Sequence, residues 1–253
     1  MWDTGLGLKP PPLGRITARG GAASFVAVAA AVRLAARGLV DAVVTAPISK
    51  EAWRLGRVPY RDHTEYLRSV TGSDAQMILA APRQGLWCVL VTRHVPLAGV
   101  PGAVTVSRVL AAARALQEGL QRTGLRRPRL VLCGLNPHAG ENGLLGREES
   151  RVLTPAARLA RSRGLALFGP LPADAAWRLH VKGGCDGLVC LYHDQALIGL
   201  KAAAGLGVVN WTAGLPFVRV SPGHGTAFDA AGKGQVDPAG VVAATRLALQ
   251  LLR

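Results

Sequence analysis

Acidic residues are scarce in this sequence: 15 Asp and Glu stand against 30 Lys and Arg, which leaves a formal net charge of +15. An excess of that size raises the question of nucleic-acid binding through phosphate neutralisation. Aromatic residues are scarce as well, at 5%. The arginines are scattered, as at Arg108, Arg114, Arg122, Arg158, Arg161 and Arg163, with no dense basic tail and no repeated aromatic interleaving. That distribution argues against a nucleic-acid partner and for a solvated basic surface that attracts anionic substrates. None of the four cysteines forms a Cys-x-x-Cys pair; Cys88, Cys133 and Cys190 lie within apolar runs and read as small buried side chains rather than disulfides or zinc ligands. No uninterrupted apolar stretch reaches the length of a bilayer span, and the segment Met1 to Pro10 lacks the basic-then-apolar order of a secretion signal. The expected compartment is therefore the cytoplasm, with no membrane partner. Gly-x-Gly-x-x-Gly after a strand is missing, and so is a Walker phosphate loop. A standard Rossmann site is thus excluded, and any dinucleotide is held another way.

What is present is an apolar fraction of 49% over 253 residues, enough for one large domain or two smaller lobes. Ala22 to Arg37 reads as a helix and Val40 to Thr45 as a strand. Amphipathic helices are expected over Thr105 to Arg122 and Glu148 to Arg163, with a terminal helix over Val242 to Leu252. Short strands are expected over Gln76 to Ala81, Leu86 to Thr92, Arg129 to Gly134, Leu165 to Phe168, Asp186 to Tyr192 and Gly207 to Asn210. Pro10 to Pro12 marks an irregular lead-in. The alternation predicts α/β layers around a mainly parallel sheet.

Three of the six histidines, His94, His138 and His193, follow short apolar runs: 86–92, 130–135 and 187–192. If those runs are buried parallel strands, the three imidazoles gather along the sheet edge where open α/β sheets bind ligands. Three residues placed alike suggest a metal site, although a strand-end histidine alone is commonly a surface residue. In Tyr192-His-Asp-Gln195, Asp194 is suited to orienting His193 or accepting a proton, and equally to capping a helix.

Further polar clusters carry the same ambiguity. Thr45-Ala-Pro-Ile-Ser-Lys50 places Lys50 after a strand, facing an anion or simply solvent. Asp62-His-Thr-Glu65 offers His63 and Thr64 near a helix start, where capping alone would explain Asp62 and Glu65. Asn136-Pro-His-Ala-Gly-Glu141 bends directly after an apolar strand, and Asp174 follows Leu171-Pro-Ala. Lys201, Asn210 and Arg219 provide an ammonium, an amide and a guanidinium, a set suited to a phosphorylated carboxylic acid. Ser221 to Gly234 is glycine-rich, with Asp229 able to accept ribose hydroxyls.

Taken together and in order, 45–50, 62–65, 135–141, 192–195 and Gly214-Leu-Pro-Phe-Val-Arg219 resemble the 4-hydroxythreonine-4-phosphate dehydrogenase family of pyridoxal phosphate biosynthesis, from about Ala22 to the C-terminus. The resemblance implies a two-lobed α/β/α fold like that of isocitrate and isopropylmalate dehydrogenases, as discontinuous lobes of a single catalytic unit over 1–253 with the active site in the cleft. It implies that His94, His138 and His193 ligate one divalent metal, Zn, Co or Mg, in a site shared across a homodimer. It further implies that His63, Thr64, Lys201, Asn210 and Arg219 bind substrate. The loop of His224, Gly225, Thr226 and Asp229 is similar to the adenosine-binding loop of those dehydrogenases and implies NAD or NADP. The implied reaction oxidises 4-phosphohydroxy-L-threonine to 2-amino-3-oxo-4-(phosphooxy)butanoate, which decarboxylates to 3-amino-2-oxopropyl phosphate. Lys201, Asp174 and Asp194 are the candidates for proton transfer. Oxidation of D-threonate or D-erythronate 4-phosphate, and an inactive metal- or nucleotide-binding homologue, are the alternatives. Against the family pattern the chain starts after a first strand-helix portion, carries Asp62 where glycine is usual and has Gly223 where an acid is usual.

Overall fold

The computed structural model describes residues 11–253, so the expectation for the segment Met1 to Pro10 lies outside the described residues. In chain order the helices are α1 (Ala18–Ala36), α2 (Lys50–Leu55), α3 (His63–Thr71), α4 (Val100–Ala103), α5 (Val106–Arg122), α6 (Thr154–Ser162), α7 (Ala173–Val181), α8 (His193–Ala204) and α9 (Ala239–Leu251). The strands are β1 (Ala42–Val44), β2 (Gln76–Ala81), β3 (Leu86–Leu90), β4 (Leu130–Cys133), β5 (Leu167–Leu171), β6 (Gly187–Cys190), β7 (Val209–Ala213) and β8 (Val218–Pro222). They form two compact units, one running to Ala75 and resuming at Val209–Leu252, the other Gln76–Val208.

In the first unit β8 is central, parallel to β1 and antiparallel to β7. Its core is built from Val28 and Val32 of α1 with Trp53, Tyr66, Leu67 and Phe217. Helix α1 starts at Thr17, whose hydroxyl accepts the Gly20 N–H at 3.0 Å. It crosses α2 at Gly21, where a Cβ would overlap the Ala52 carbonyl, so only glycine permits that approach. No uninterrupted apolar run reaches spanning length, since Arg19, Ser24 and Arg33 interrupt α1, yet the helix as a whole meets a coarser test of length and mean hydropathy. The 19 residues of α1, with mean hydropathy 1.3, are long and apolar enough by that measure. The cause is a run of alanine and valine that reaches membrane-like hydropathy while its Val28–Val32–Ala35 stripe packs on the core beside Trp53.

In the second unit the strand order is β2-β3-β6-β4-β5; β2 and β3 are antiparallel and the remaining pairs parallel. Strands β3, β4 and β6 are buried along their whole length, as the continuous apolar runs require. Helix α5 begins at the Thr105 cap and lays Val109, Ala112, Ala113, Leu116 and Leu120 on the sheet. The single helix expected over Glu148 to Arg163 divides into a π-turn, Glu149–Leu153, followed by α6. Pro155, in the first turn of α6, cannot donate a ladder hydrogen bond, which favours that break. All four cysteines are free and buried, as expected for the three in apolar runs.

Candidate active site

Two groups of candidate residues take shape, one in each unit. In the second unit β3, β6 and β4 are adjacent and parallel, so the turns carrying His94, His193 and His138 leave the same sheet edge. Those turns are fastened to one another at the backbone. The Thr92 hydroxyl donates to the Leu191 carbonyl at 2.6 Å, tying the end of β3 to that of β6. Buried Gln195 accepts the Leu191 N–H at 2.7 Å and donates to the Gly134 carbonyl at 2.7 Å, tying β6 to β4. The rings of His94 and His193 come to 5.8 Å between centroids. Asp194 Oδ1 lies 2.7 Å from His193 Nδ1, which leaves Nε2 to face a ligand. Asp194 is thus placed beside the His193 ring, and α8 has no side-chain cap hydrogen bond among the described residues.

His94 and His138 both hold φ near +50°, at 49° and 53°. Left-handed backbone at residues with a Cβ is disfavoured by roughly 1–2 kcal/mol each and collects at functional positions. Around His138 the strain is general: residues 138–142 form one left-handed turn, four of them with side chains. Among the described residues no three His, Cys, Asp or Glu side chains close into a metal cage. The paired imidazoles of His94 and His193 and the carboxylate behind His193 would suit two ligands of a divalent ion; within one copy of the chain His138 does not join them, as a site shared between two copies would require. Asp174, in the first turn of α7, and Lys201, on α8, are both exposed.

The first unit holds an unusual cation. Arg219 of β8 is only 2% exposed, and its hydrogen-bond partners are neutral hydroxyls: Nη1 donates to Thr212 Oγ1 at 2.9 Å and Nη2 to Thr45 Oγ1 at 2.6 Å. Among the described residues its Nε has no hydrogen-bond partner, and neither do His63 Nε2 and Asn210 Oδ1. Antiparallel pairing explains part of the grouping: Asn210 and Thr212 share a face of β7, opposite Ser221 and Arg219 of β8. Burial lowers the Arg219 pKa to about 10, with Asp62 opposing the change. Burial, reinforced by the Arg219 charge, takes His63 down to about 3. Trp53 sets its ring edge-on to His63 at 5.5 Å and is itself fixed by an indole hydrogen bond to Ser24 at 2.9 Å.

Asp62 caps α3 by accepting the Glu65 N–H at 3.0 Å and pairs with Lys50 at 3.3 Å, so the capping expected from sequence coexists with the buried His63 beside it. Thr64 is half-buried in the same first turn. In the glycine-rich loop, Asp229 is exposed within a 3-10 turn over Phe228–Ala230, and His224 Nδ1 lies 2.9 Å from the Gly225 carbonyl. Gly225 and Thr226 sit in the same loop ahead of Ala227, which has positive φ. The loop thus offers an exposed carboxylate and open backbone. Thr45, Thr212 and Glu149 escaped the sequence reading; only Thr45 lay within a motif, and burial, which sequence does not display, is what distinguishes the other two.

Similarity to known proteins now gives this α/β chain a class. A 45% identical relative, covering 88% of this chain and 71% of its own length, is the 4-hydroxythreonine-4-phosphate dehydrogenase of Paracoccus denitrificans. The D-threonate 4-phosphate dehydrogenase of Salmonella typhimurium is 40% identical, over 94% of this chain and 72% of its own. The crystal structure of 4-hydroxythreonine-4-phosphate dehydrogenase from Klebsiella pneumoniae superposes with a TM-score of 0.85 at 38% identity, covering 98% of this chain and 74% of that one. These relatives are oxidoreductases of small phosphorylated substrates. Residues 3–248 match the family described as pyridoxal phosphate biosynthetic protein PdxA, and the chain belongs to that family.

Proposed function

We propose that this chain is a cytoplasmic, metal-dependent NAD(P) dehydrogenase that oxidises 4-phosphohydroxy-L-threonine. The observation that carries the proposal is the buried Arg219, whose guanidinium hydrogen-bonds to the Thr45 and Thr212 hydroxyls and whose Nε, like His63 Nε2 and Asn210 Oδ1, has no hydrogen-bond partner among the described residues. A buried cation whose hydrogen-bond partners are all neutral is costly even with Asp62 acting on it, and an anionic substrate group is what would compensate it. His63, neutral at working pH, then donates or accepts a hydrogen bond without adding charge; Asn210 and Thr64 complete the polar contacts. The His224 to Asp229 loop is assigned to the dinucleotide, with Asp229 on ribose hydroxyls.

When bound, the divalent ion supplies Lewis-acid charge stabilisation and the nicotinamide accepts the hydride. The reaction removes a hydride from the carbon bearing the hydroxyl and a proton from its oxygen. The β-keto acid then loses carbon dioxide, and a proton returns to carbon to give 3-amino-2-oxopropyl phosphate. Lys201 and Asp174 are assigned to carrying those protons, and Asp194 to orienting His193. Exposed Leu97, Leu144 and Ile198 follow the three histidine turns in the chain, which supports a homodimer in which a second copy supplies a metal ligand. The free, buried cysteines accord with a reducing compartment.

A second reading, oxidation of D-threonate 4-phosphate, is favoured by the similarity to the Salmonella enzyme. The test is reduction of NAD or NADP by the purified chain with each substrate, before and after chelation. Turnover that chelator abolishes and Co2+ restores is the expected result; equal turnover in chelator removes the metal from the account, and silence with both substrates removes the dehydrogenase.

A further inference from the structure

Strand β4 ends at Cys133, and the chain then bends into the left-handed turn 138–142, with φ of 53°, 53°, 81°, 41° and 55°. A turn in which four of five residues carry a Cβ in that region needs an external brace. The brace is the carboxylate of Glu149, from the start of the π-turn, which is only 6% exposed. Its Oε1 accepts the backbone N–H groups of Leu135 and Asn136, each at 2.8 Å, and its Oε2 accepts the Asn136 side-chain amide at 2.9 Å. Glu148 Oε2 accepts the same amide at 2.8 Å. Gly140, in the middle of the turn, packs directly on the carboxylate: a Cβ there would lie 2.7 Å from Glu149 Oε2.

Among the described residues Glu149 forms no ion pair; its donors are neutral N–H groups of Leu135 and Asn136, in the segment leading into the turn. Charge-assisted hydrogen bonds of this kind are stronger than neutral ones and directional. Three of them on adjacent donors set the path of the backbone immediately before Pro137 and His138.

We propose that Glu149 is a positioning residue: by bracing the left-handed turn it sets where the His138 imidazole stands, and thus the affinity of the histidine edge for a divalent ion. The metal half of this statement rests on the function proposed above; the bracing half does not.

The test uses the full chain as wild type, Glu149→Gln and Glu149→Ala, each also combined with His138→Ala. Two quantities are read, hydrogen exchange over residues 135–142 and Co2+ affinity by ligand-field absorption. Glu149→Ala is expected to speed exchange over 135–142 and to weaken Co2+ binding roughly ten- to hundredfold. Glu149→Gln keeps one acceptor oxygen for the two backbone donors but sets an amide against the Asn136 amide, so it falls between wild type and Glu149→Ala. In the His138→Ala background neither Glu149 change weakens Co2+ further. Unchanged exchange in both variants overturns the brace. Equal losses of Co2+ affinity with and without His138 overturn action through His138. A wild type that takes no Co2+ overturns the metal reading, while the exchange data still decide the brace.

Discussion

At the residue scale, Arg219 separates stability from function. A charge with only two hydroxyl partners and an unpartnered Nε gains little from its surroundings, because removing a guanidinium from water costs several kcal/mol. Arg219→Met keeps much of the side chain's length and removes the charge. Thermal unfolding of this variant is expected at the wild-type temperature or above it; a clear drop would mean that the guanidinium mainly holds β8 to Thr45 and Thr212. His63 allows a pH prediction. Its pKa falls from 6.5 to about 3 on folding, so the unfolded chain binds the extra proton between those values. The stability from neutral His63 is complete above 6.5 and declines as pH falls towards 3. Urea midpoints at about pH 7 and about pH 4 should therefore converge more in His63→Gln than in wild type. An equal acid loss in the two proteins would show that His63 does not contribute.

At the element scale, the crossing of α1 on α2 depends on Gly21. Gly21→Ala forces the helices apart at the Ala52 carbonyl and is expected to destabilise the chain by roughly 1–3 kcal/mol in urea unfolding, the range of an overpacked contact. A neutral outcome would mean that the helices re-seat without loss. The elements also show what sequence discloses. Strands β3, β4 and β6 were legible because strands buried on both faces are uninterrupted apolar runs, and their order put the three histidine turns at one edge. Strand β8 was not, since Arg219, Ser221 and Pro222 break its apolar pattern, although all are buried. The same burial leaves the Arg219 guanidinium bonded to hydroxyls alone, which is why it is proposed to bind an anion. Glu149 was invisible for a related reason: in sequence it is one acid in Arg147-Glu-Glu-Ser150, and only the fold turns it inward.

At the scale of the whole molecule, the cationic site and the histidine edge belong to different units, each with its own apolar core. Damage to one should leave the other measurable: His94→Ala should lose Co2+ affinity while still binding inorganic phosphate as wild type does, and parallel loss of both would show that the two sites do not act separately. Buried Arg219, hydrogen-bonded to two hydroxyls, is proposed as the receptor for the anionic substrate. Calorimetric titration of 4-phosphohydroxy-L-threonine into wild type and Arg219→Met tests it most directly. Binding to wild type and a loss of roughly a hundredfold in the variant, the scale of a desolvated charge contact, are the expected result. Equal affinity in the two proteins would contradict it.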